Sequence, residues 1–420
     1  MSDGNRERSA TVSMGMRISG TGAAALAAAT FAAAMLALAG CAAAGNSGTA
    51  RPVRPTGAAS APVPLTAPPA SARPRTLTRT SARPGTASAL GQSIYRLTLD
   101  NPSMTVTSAG LYLTWYRPRP NGSVAAVVLA RADAATGVIM AQRDFSSGVV
   151  GAPLLADGSL WVTDSVPGPG ATPSGSSTSG RQLLLLRLNP ATLALTGKLA
   201  VGGASCGGAN TGAPGQVAFA GGAIWMDGAG LLVRVDPESV TRELTVVFPG
   251  ADSSAVGASP DGTVLIVAET CNGIGTVQRR DPVTGALLAS RATNGIAAPA
   301  IAGVTDGRVW LAAPTGMMGY AERLGTASLS PARSTEVIGT NAIHVRVADG
   351  ALWLTDPVGG ATRNYCADPV TGRVRAPLPL PDLGQDELLA VGAGVLYYAA
   401  FDSSGNGWRI ATAPVPAACA

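Results

Sequence analysis

DGALWLTDPVGGATRNYCADPVTG, residues 349–372, is the stretch that decides the fold, because its two ends recur through the chain after residue 100. It begins with Asp349-Gly350, which is typical of a two-residue hairpin turn whose central positions require positive φ. The following ALWLT, residues 351–355, is apolar, β-branched and aromatic, which favours a strand. DPVTG, residues 368–372, is typical of a bulged hairpin: Asp accepts a backbone N–H, Pro presets φ and Gly takes the left-handed position. The unit therefore predicts four strands joined by a tight turn, a loop and a second tight turn.

One marker residue in the second strand of this unit recurs seven times. The markers are Tyr112, Trp161, Trp225, Leu265, Trp310, Trp353 and Tyr397. The hairpin dipeptides before them are Ala109-Gly110, Asp157-Gly158, Gly221-Gly222, Asp261-Gly262, Asp306-Gly307, Asp349-Gly350 and Ala393-Gly394. The spacings between these markers are 49, 64, 40, 45, 43 and 44 residues, and a period in this range with four strands per unit is typical of a propeller. The sequence therefore predicts an all-β, seven-bladed β-propeller of four-stranded antiparallel blades.

The later turn of the unit and the two chain ends predict how the ring closes. The later turn recurs at residues 133–137, 189–192, 236–237, 281–285 and 368–372, and we expect the fifth unit to lack it. The seventh unit ends after three strands, whereas SIYRLTL, residues 93–99, precedes the first unit and has no blade of its own. Because an unpaired edge strand invites association, we expect residues 93–99 to supply the fourth strand of blade seven.

The DGxLW and DPxTG pattern of residues 349–353 and 368–372 resembles the seven-bladed YVTN, YncE-like and virginiamycin-B-lyase-like propellers. The resemblance covers residues 93–413 and implies the architecture. The lyase-like enzymes are expected to use a metal and a catalytic histidine, but their motif cannot be placed around His344, the one histidine here. His344 either belongs to a Ser-His-Asp set or packs in an inner strand at residues 343–347. The second reading is favoured because no nucleophile elbow is present.

The N-terminal 40 residues predict export. Arg17 precedes an uncharged, alanine-rich run, residues 18–38, that ends in LAGC, residues 38–41. This arrangement is typical of a secretory signal, and LAGC resembles the bacterial lipobox, which implies cleavage after Gly40 and a diacylglyceryl group on Cys41. We therefore expect a lipoprotein anchored at the outer face of the cell membrane. The alternative is an uncleaved transmembrane helix, for which the run is barely long enough.

Residues 41–92 predict an extended tether that joins the anchor to a domain at residues 93–420. The tether consists mostly of Pro, Ala, Ser, Thr and Arg, and it carries six arginines and no acid. Its arginines either contact anionic envelope polymers or form a solvated spacer, and their dispersion favours the spacer. The domain has a net charge of −2, which excludes the basic footprint of a nucleic-acid-binding protein.

Four cysteines follow Cys41, an even number that fits a compartment where disulfides persist. In a propeller, Cys206 and Cys271 fall on one face, and Cys366 and Cys419 fall on the opposite face. We therefore predict the pairs Cys206–Cys271 and Cys366–Cys419, the second of which fixes the C-terminus. The cysteine spacing does not indicate a zinc or haem site.

Acidic residues follow the marker strands and define an acidic rim. Its members are Asp164, Asp227, Glu269 and Asp356, with Asp402 as a weaker member. Because successive blades repeat the same geometry, carboxylates at equivalent positions would share one rim, and their oxygens are suitable ligands for Ca²⁺ or Mg²⁺. The alternative, which we favour, is that each acid hydrogen-bonds loop N–H groups and fixes its own blade. No cofactor is otherwise indicated.

The sizeable insertions, residues 116–123, 167–180 and 202–215, all fall on one face of the ring. Variable loops on a rigid scaffold usually carry recognition, so we expect binding there. Aromatic and arginine side chains dominate binding hot spots. The candidate contacts are therefore Trp115, Tyr116, Arg117 and Arg119. The alternative for Trp115 is that it covers the adjacent blade.

Two functions remain open from the sequence. The leading hypothesis is a monomeric, lipid-anchored, extracytoplasmic propeller that binds a protein or envelope component. The alternative is a metal-dependent propeller enzyme, a lyase or lactonase, that uses the acidic rim. A divalent ion held by several rim acids would favour the enzyme, whereas rim acids hydrogen-bonded within their own blades would favour the binding protein.

Overall fold

The computed structural model describes the chain from Tyr95 onward, with gaps. The described residues are 95–118, 124–134, 136–145, 150–167, 181–201, 215–228, 230–248, 253–271, 274–293, 300–305, 307–315, 318–331, 344–358, 361–378, 386–402 and 407–420. All of them belong to the compact unit Ala82–Ala420. Within these ranges the chain forms strands and turns only, so it contains no apolar helix of membrane-spanning length there. The predicted signal peptide, Cys41 and the tether lie outside the described residues.

The described residues form 26 strands in seven antiparallel blades. Blade one consists of β1 (Tyr95–Thr107), β2 (Gly110–Pro118), β3 (Val124–Ala132) and β4 (Ile139–Phe145). Blade two consists of β5 (Leu154–Ala156), β6 (Ser159–Pro167), β7 (Arg181–Leu188) and β8 (Leu195–Val201). Blade three consists of β9 (Val217–Ala220), β10 (Ala223–Gly228), β11 (Leu231–Asp236) and β12 (Thr241–Val247). Blades four and five consist of β13 (Ser253–Ala258), β14 (Leu265–Cys271), β15 (Ile274–Arg280) and β16 (Leu287–Ala292); and β17 (Ala300–Thr305), β18 (Arg308–Thr315) and β19 (Met318–Gly325). Blades six and seven consist of β20 (His344–Ala348), β21 (Ala351–Val358), β22 (Ala361–Ala367) and β23 (Val374–Pro377); and β24 (Asp386–Gly392), β25 (Val395–Asp402) and β26 (Gly407–Pro414), completed by β1. The predicted seven-bladed, all-β ring is confirmed.

Strand β1 closes the ring by belonging to two blades. Its first part pairs with β26, with Tyr95 opposite Ile410 and Leu99 opposite Trp408. Its second part pairs with β2, where Thr105 lies opposite Tyr112. The N-terminal strand is therefore the fourth strand of blade seven, as the sequence predicts, and the edge of β26 is covered.

The first strand of each blade is its innermost strand, and these strands contact one another around the ring. Such contacts join β24 with β1, β5 with β9, β9 with β13, β13 with β17 and β17 with β20. Between blades, the faces of the sheets bury apolar clusters. The cluster between blades two and three, for example, includes Trp161, Leu185, Ile224 and Val233, all 0% exposed. Burial of this kind between neighbouring sheets stabilises the ring.

The turn between the third and fourth strands, here called the outer turn, repeats with the same backbone hydrogen bond in six blades. The N–H of its fifth residue donates to the carbonyl of its first. The six bonds are Gly137 to Asp133, Leu193 to Asn189, Val240 to Asp236, Gly285 to Asp281, Leu329 to Gly325 and Gly372 to Asp368, at 2.7–3.0 Å. The expectation that the fifth unit lacks this turn is therefore wrong. Its sequence there, GTASL at residues 325–329, lacks the Asp in first, the Pro in second and the Gly in fifth position, yet Leu329 adopts φ 54°.

The fifth residue of the outer turn packs against the marker of the preceding blade in blades two to six, and Cys419, after β26, packs in the same way against Trp353. In two blades a Cβ on the glycine would lie 3.2 Å from the Trp Cη2 atom of the preceding marker. The pairs are Tyr112 with Leu193, Trp161 with Val240, Trp225 with Gly285, Ile266 with Leu329, Trp310 with Gly372 and Trp353 with Cys419. Glycine thus leaves room for Trp225 and Trp310, whereas Trp161 and Trp353 pack against the larger Val240 and Cys419.

The marker of blade four is Ile266, so the assignment to Leu265 is wrong. Ile266 lies in the cluster between blades four and five, as the other markers face the next blade, whereas Leu265 faces blade three. The sequence assignment counted three residues from the glycine of the preceding turn, as from Gly350 to Trp353, but the turn before blade four has a different geometry. Instead of a two-residue hairpin at Asp261-Gly262, the chain forms a longer turn closed by the Ser259 N–H to the Val264 carbonyl at 3.0 Å. Asp261 accepts from the Ser259 hydroxyl at 2.5 Å, which stabilises this longer turn.

The outer turn of blade six predicts an acid-sensitive contribution to stability. Asp368 accepts from Arg375 at 2.9 Å and from the backbone N–H of Thr371 at 2.7 Å and of Val370 at 2.9 Å. These bonds, that from Arg375 first, lower the pKa of Asp368 to about 2 from 3.8. Because the pKa of Asp368 is lower in the folded than in the unfolded state, the ionised side chain stabilises the fold above pH 3.8, and this stabilisation is lost as the pH falls to about 2.

We expect Asp368→Asn to lower the free energy of unfolding by about 1 kcal/mol at pH 7, since the pair is partly exposed, and by almost nothing near pH 2. The matched control is Asp157→Asn at a hairpin position with φ 48°, which asparagine also tolerates. Urea denaturation of both variants from pH 7 to pH 2 measures the difference. An Asp368→Asn cost that does not change with pH would contradict the assignment.

Candidate functional site

The two faces of the ring differ in their connections. One face, here called the turn face, carries the two-residue hairpins and the outer turns. The other, here called the insertion face, carries the links between second and third strands and between blades, because strands alternate in direction. Strand β6 ends and β7 begins on the insertion face, and the same holds for the end of β8 and the start of β9. The sequence between them is long, residues 168–180 and 202–216, of which residues 168–180 and 202–214 lie outside the described residues. The long connections in sequence therefore occur on one side.

Three of the four candidate contact residues lie in a strand and not in a loop. Trp115, Tyr116 and Arg117 belong to β2 and pair with Val128, Val127 and Ala126 of β3. Their placement in a loop from residue 116 onward was wrong, because strand pairing continues to Pro118 at the end of β2. Arg119, the fourth candidate, lies outside the described residues.

Packing separates the three residues. Trp115 is half-buried against the cluster between blades seven and one, which includes Leu113 and Tyr397. This is the alternative given above for Trp115, namely that it covers the adjacent blade. Tyr116 packs against the cluster between blades one and two. Arg117 is the most accessible, with 45% of its side chain exposed, and its Nη1 forms an ion pair with Asp144 Oδ2 at 2.5 Å.

The acidic rim residues do not share one register. Asp164, Glu269 and Asp356 are the third residues after the markers Trp161, Ile266 and Trp353, whereas Asp227 is the second residue after Trp225. The expectation that all four occupy equivalent positions is therefore wrong. The side chains of Asp164 and Asp227 are buried, at 7% and 0% exposed. Glu269 lies in β14, Asp356 in β21 and Asp402 at the end of β25.

Asp227 fixes the start of its own blade. Its Oδ1 accepts from the backbone N–H of Gln216 at 2.7 Å, and its own N–H donates to the Gln216 carbonyl at 3.1 Å. Next to this pair, the Thr163 hydroxyl of blade two donates to the Gly215 carbonyl at 2.5 Å. A Cβ at residue 215 would lie 2.0 Å from the Asp227 carbonyl oxygen, so only glycine fits. At Asp227 the acid therefore has the structural role.

In the described ranges, no three His, Cys, Asp or Glu side chains are grouped so that they could hold a metal ion. His344 begins the inner strand β20 and pairs with Thr355, in the inner strand where the sequence places it. Among the rim acids, the contacts described above give Asp227 a hydrogen-bonding role within its own blade.

A prediction follows for Asp227. Asp227→Ala removes a charged, fully buried acceptor and leaves the Gln216 N–H without its partner, so we expect a loss of about 1–3 kcal/mol in the free energy of unfolding. Asp227→Asn retains an acceptor oxygen and should cost less. Denaturation is measured in urea with chelator and with added Ca²⁺. The same loss is expected in both solutions, and a loss that appears only with Ca²⁺ would restore the rim as a cation site.

A disulfide joins Cys366 of β22 to Cys419, with Cα atoms 5.8 Å apart. Both side chains are fully buried. The sequence predicts this pair, and it links blade six to the segment after β26. Cys206 lies outside the described residues and Cys271 ends β14, so the pairing of these two stays a prediction.

The sequence interpretation missed a set of arginines that join neighbouring blades on the turn face. Each lies in a third strand, directly opposite the marker residue. Arg187 Nη1 donates to the carbonyls of Pro237 at 2.8 Å and Glu238 at 2.7 Å in the next blade. Three markers also donate to outer turns of the next blade: Tyr112 Oη to Pro190 at 2.8 Å, Trp225 Nε1 to Pro282 at 3.1 Å and Trp310 Nε1 to Pro369 at 2.7 Å. The signal was present as an arginine at a fixed position of the repeat.

No family model matches this chain, and no curated protein matches it. Among solved structures, BamB from Moraxella catarrhalis is 13% identical with a TM-score of 0.42, covering 76% of this chain and 98% of its own. The computationally designed Ika8 protein is 12% identical with a TM-score of 0.43, covering 76% and 99%. The WD40 β-propeller domain of Doa1 is 10% identical with a TM-score of 0.46, covering 77% and 97%. The seven-bladed architecture is therefore taken from the strand pairing of this chain itself.

Proposed function

We propose that this protein is a lipid-anchored, extracytoplasmic propeller that binds a protein or an envelope component on its insertion face. The observation that carries the proposal is the asymmetry of the ring. Seven blades repeat one framework, while the long connections occur on one side, as in scaffolds whose loops carry recognition. The anchor is inferred from the resemblance of residues 38–41 to a lipobox, and the tether at residues 41–92 would hold the propeller away from the membrane surface.

The turn face supports this choice because it is occupied by contacts that hold the ring together. Its outer turns accept hydrogen bonds from arginine and tryptophan side chains of the preceding blades. A partner at those carbonyls would have to displace bonds within the fold. The insertion face instead presents Arg117 and Asp144 as a half-exposed ion pair. Such a pair contributes little to stability and is available to a partner.

Site-specific photocrosslinking in intact cells tests the binding face. The probe amino acid replaces Arg117 on the insertion face or, as a matched control, Val283, which is 57% exposed on the turn face. We expect a discrete crosslinked species from position 117 and none from position 283. The same species from both positions, a species from 283 alone, or none from either would contradict the proposal.

Labelling with a radioactive fatty acid tests the anchor separately. Cys41→Ser should abolish incorporation of the label and move the protein from the membrane fraction to the soluble fraction, because one serine cannot accept the thioether-linked lipid. Cys206→Ser serves as the control and should keep both label and membrane association. Label retained in Cys41→Ser would contradict lipidation at this residue.

A further inference from the structure

Cys366 occupies the position that arginine holds in blades one to five, where blade seven has Thr412. In the third strand, the residue opposite the marker is an arginine in blades one to five. The cross-strand pairs are Tyr112 with Arg131, Trp161 with Arg187, Trp225 with Arg234, Ile266 with Arg279, Trp310 with Arg323 and Trp353 with Cys366. The cysteine is therefore a substitution within the repeat and not an addition to it.

The arginine at this position reaches the outer turn of the next blade in three of these blades. Arg187 donates to Pro237 and Glu238, Arg279 donates to Ala327 at 3.3 Å, and Arg323 donates to Val370. These are hydrogen bonds from a charged donor to backbone carbonyls, and they join each blade to its neighbour. Cys366 makes the corresponding connection between blades six and seven through its bond to Cys419.

Cys419 likewise occupies the place of an outer-turn residue. In blades one and four, a fourth-strand arginine donates to the carbonyl of the fifth residue of the next outer turn: Arg143 to Leu193 at 3.4 Å and Arg291 to Leu329 at 3.1 Å. Arg375 of blade six donates in the same way to the Cys419 carbonyl at 3.4 Å. Leu193, Leu329 and Cys419 are all buried against the marker of the preceding blade.

Blade seven is where such a connection matters most. It is built from both ends of the chain, since β24, β25 and β26 come from the C-terminal end and its fourth strand is the beginning of β1. The segment after β26 has no fourth strand of its own to form an outer turn. Its backbone is held by the Val415 N–H to the Gly394 carbonyl at 2.9 Å and the Cys419 N–H to the Pro416 carbonyl at 2.8 Å. The disulfide is the covalent bond that ties this segment to blade six.

We propose that the Cys366–Cys419 disulfide is a redox-sensitive lock on blade seven, replacing the arginine contact that joins other neighbouring blades. A dithiol reductant transfers two electrons and two protons to the bond, giving two cysteine thiols, and is itself oxidised to a disulfide. Once the disulfide is reduced, the long bond from Arg375 to the Cys419 carbonyl and the apolar cluster around Trp353 and Tyr398 remain, but no covalent bond joins the two blades. Blade seven then opens locally, at the closure between β26 and β1, while the other blades stay folded.

Hydrogen exchange read by mass spectrometry tests the lock in the full-length mature protein. A Cys206→Ser/Cys271→Ser background confines the reductant to the Cys366–Cys419 bond. After dithiothreitol, we expect amides of β26 and of the paired part of β1 to exchange at least about tenfold faster, with β10 and β14 unchanged. Equal acceleration in all blades, or none in β26, would overturn the lock.

Two double variants test the positional equivalence. Cys366→Ser/Cys419→Ser should behave like the reduced protein with or without dithiothreitol. Cys366→Arg/Cys419→Leu restores the residue types found in the other blades, such as Arg323 and Leu329. We expect it to protect β26 at least about tenfold better than the serine variant, independently of reductant. Protection no better than in the serine variant would overturn the equivalence.

Discussion

Replacing Trp310 by alanine should lower the free energy of unfolding by about 3–5 kcal/mol, one of the two largest effects expected here. The side chain is 3% exposed between blades five and six. Its Nε1 donates to the Pro369 carbonyl at 2.7 Å. Its ring fills the space that Gly372 leaves open. Truncation therefore creates a cavity and leaves a buried carbonyl without its donor.

Trp310→Phe separates the two contributions. It keeps most of the ring in the cavity and removes only the N–H donor, so a loss of about 1–2 kcal/mol is expected. Trp115→Ala is the control, because it removes a tryptophan that is only half-buried and is not a marker, and it should lower the free energy of unfolding by less than Trp310→Ala. Urea denaturation measures all three. A Trp310→Ala cost no larger than that of Trp115→Ala would contradict the role of the marker in joining blades.

Removing the first strand should have the second large effect. Deleting residues 1–99 removes the part of β1 that pairs with β26, in which Tyr95 lies opposite Ile410 and Leu99 lies opposite Trp408. Blade seven then presents β26 as an open edge, which favours association between molecules. We expect a fall in melting temperature of about 6–12 °C, corresponding to about 3 kcal/mol, and dimers or larger species in light scattering.

Deleting residues 1–92 is the matched control. It removes the predicted signal and tether but keeps the whole of β1, so the melting temperature should match that of the mature protein and light scattering should show a monomer. The contrary result is a 1–99 deletion that melts and scatters like the 1–92 deletion, because the N-terminal strand would then contribute nothing to the ring.

The blade framework was predictable because its signals are local. A dipeptide such as Asp349-Gly350 adopts the positive φ that a two-residue hairpin needs, φ 46° and 75° in the structure. The DPxTG turns are equally local, since Asp281 accepts from the backbone N–H of Val283 at 3.0 Å and of Thr284 at 2.7 Å. Their recurrence gave blade number and closure from the sequence alone.

The outer turn of blade five was missed because tertiary packing replaces the local signal there. Leu193, Val240 and Leu329 have φ of 54–58°, which their side chains disfavour by themselves. Each is buried against the marker of the preceding blade, and that burial offsets the backbone cost. The turn that ends at Leu329 has no such sequence signal and can be located only from its contact with the marker Ile266.

The candidate site was predicted less well for the same reason. Register along a strand decides whether an acid such as Asp227 faces a neighbour's backbone or the rim, and a shift of one residue changes the side. The arginines opposite the markers contact residues about 50 positions away in sequence, as Arg187 does at Pro237. Such long-range contacts follow from the ring and not from any local pattern.

The most direct test of the closed seven-bladed ring is a distance-dependent crosslink between its first and last strands. Arg96→Cys with Arg409→Cys places two thiols on residues that pair across β1 and β26. Arg96→Cys with Arg363→Cys, in blade six, is the control. With a short bis-thiol crosslinker and a Cys206→Ser/Cys271→Ser background, closure predicts an intramolecular crosslink between residues 96 and 409 and none between 96 and 363. Absence of the 96–409 crosslink in folded protein would contradict closure by the N-terminal strand.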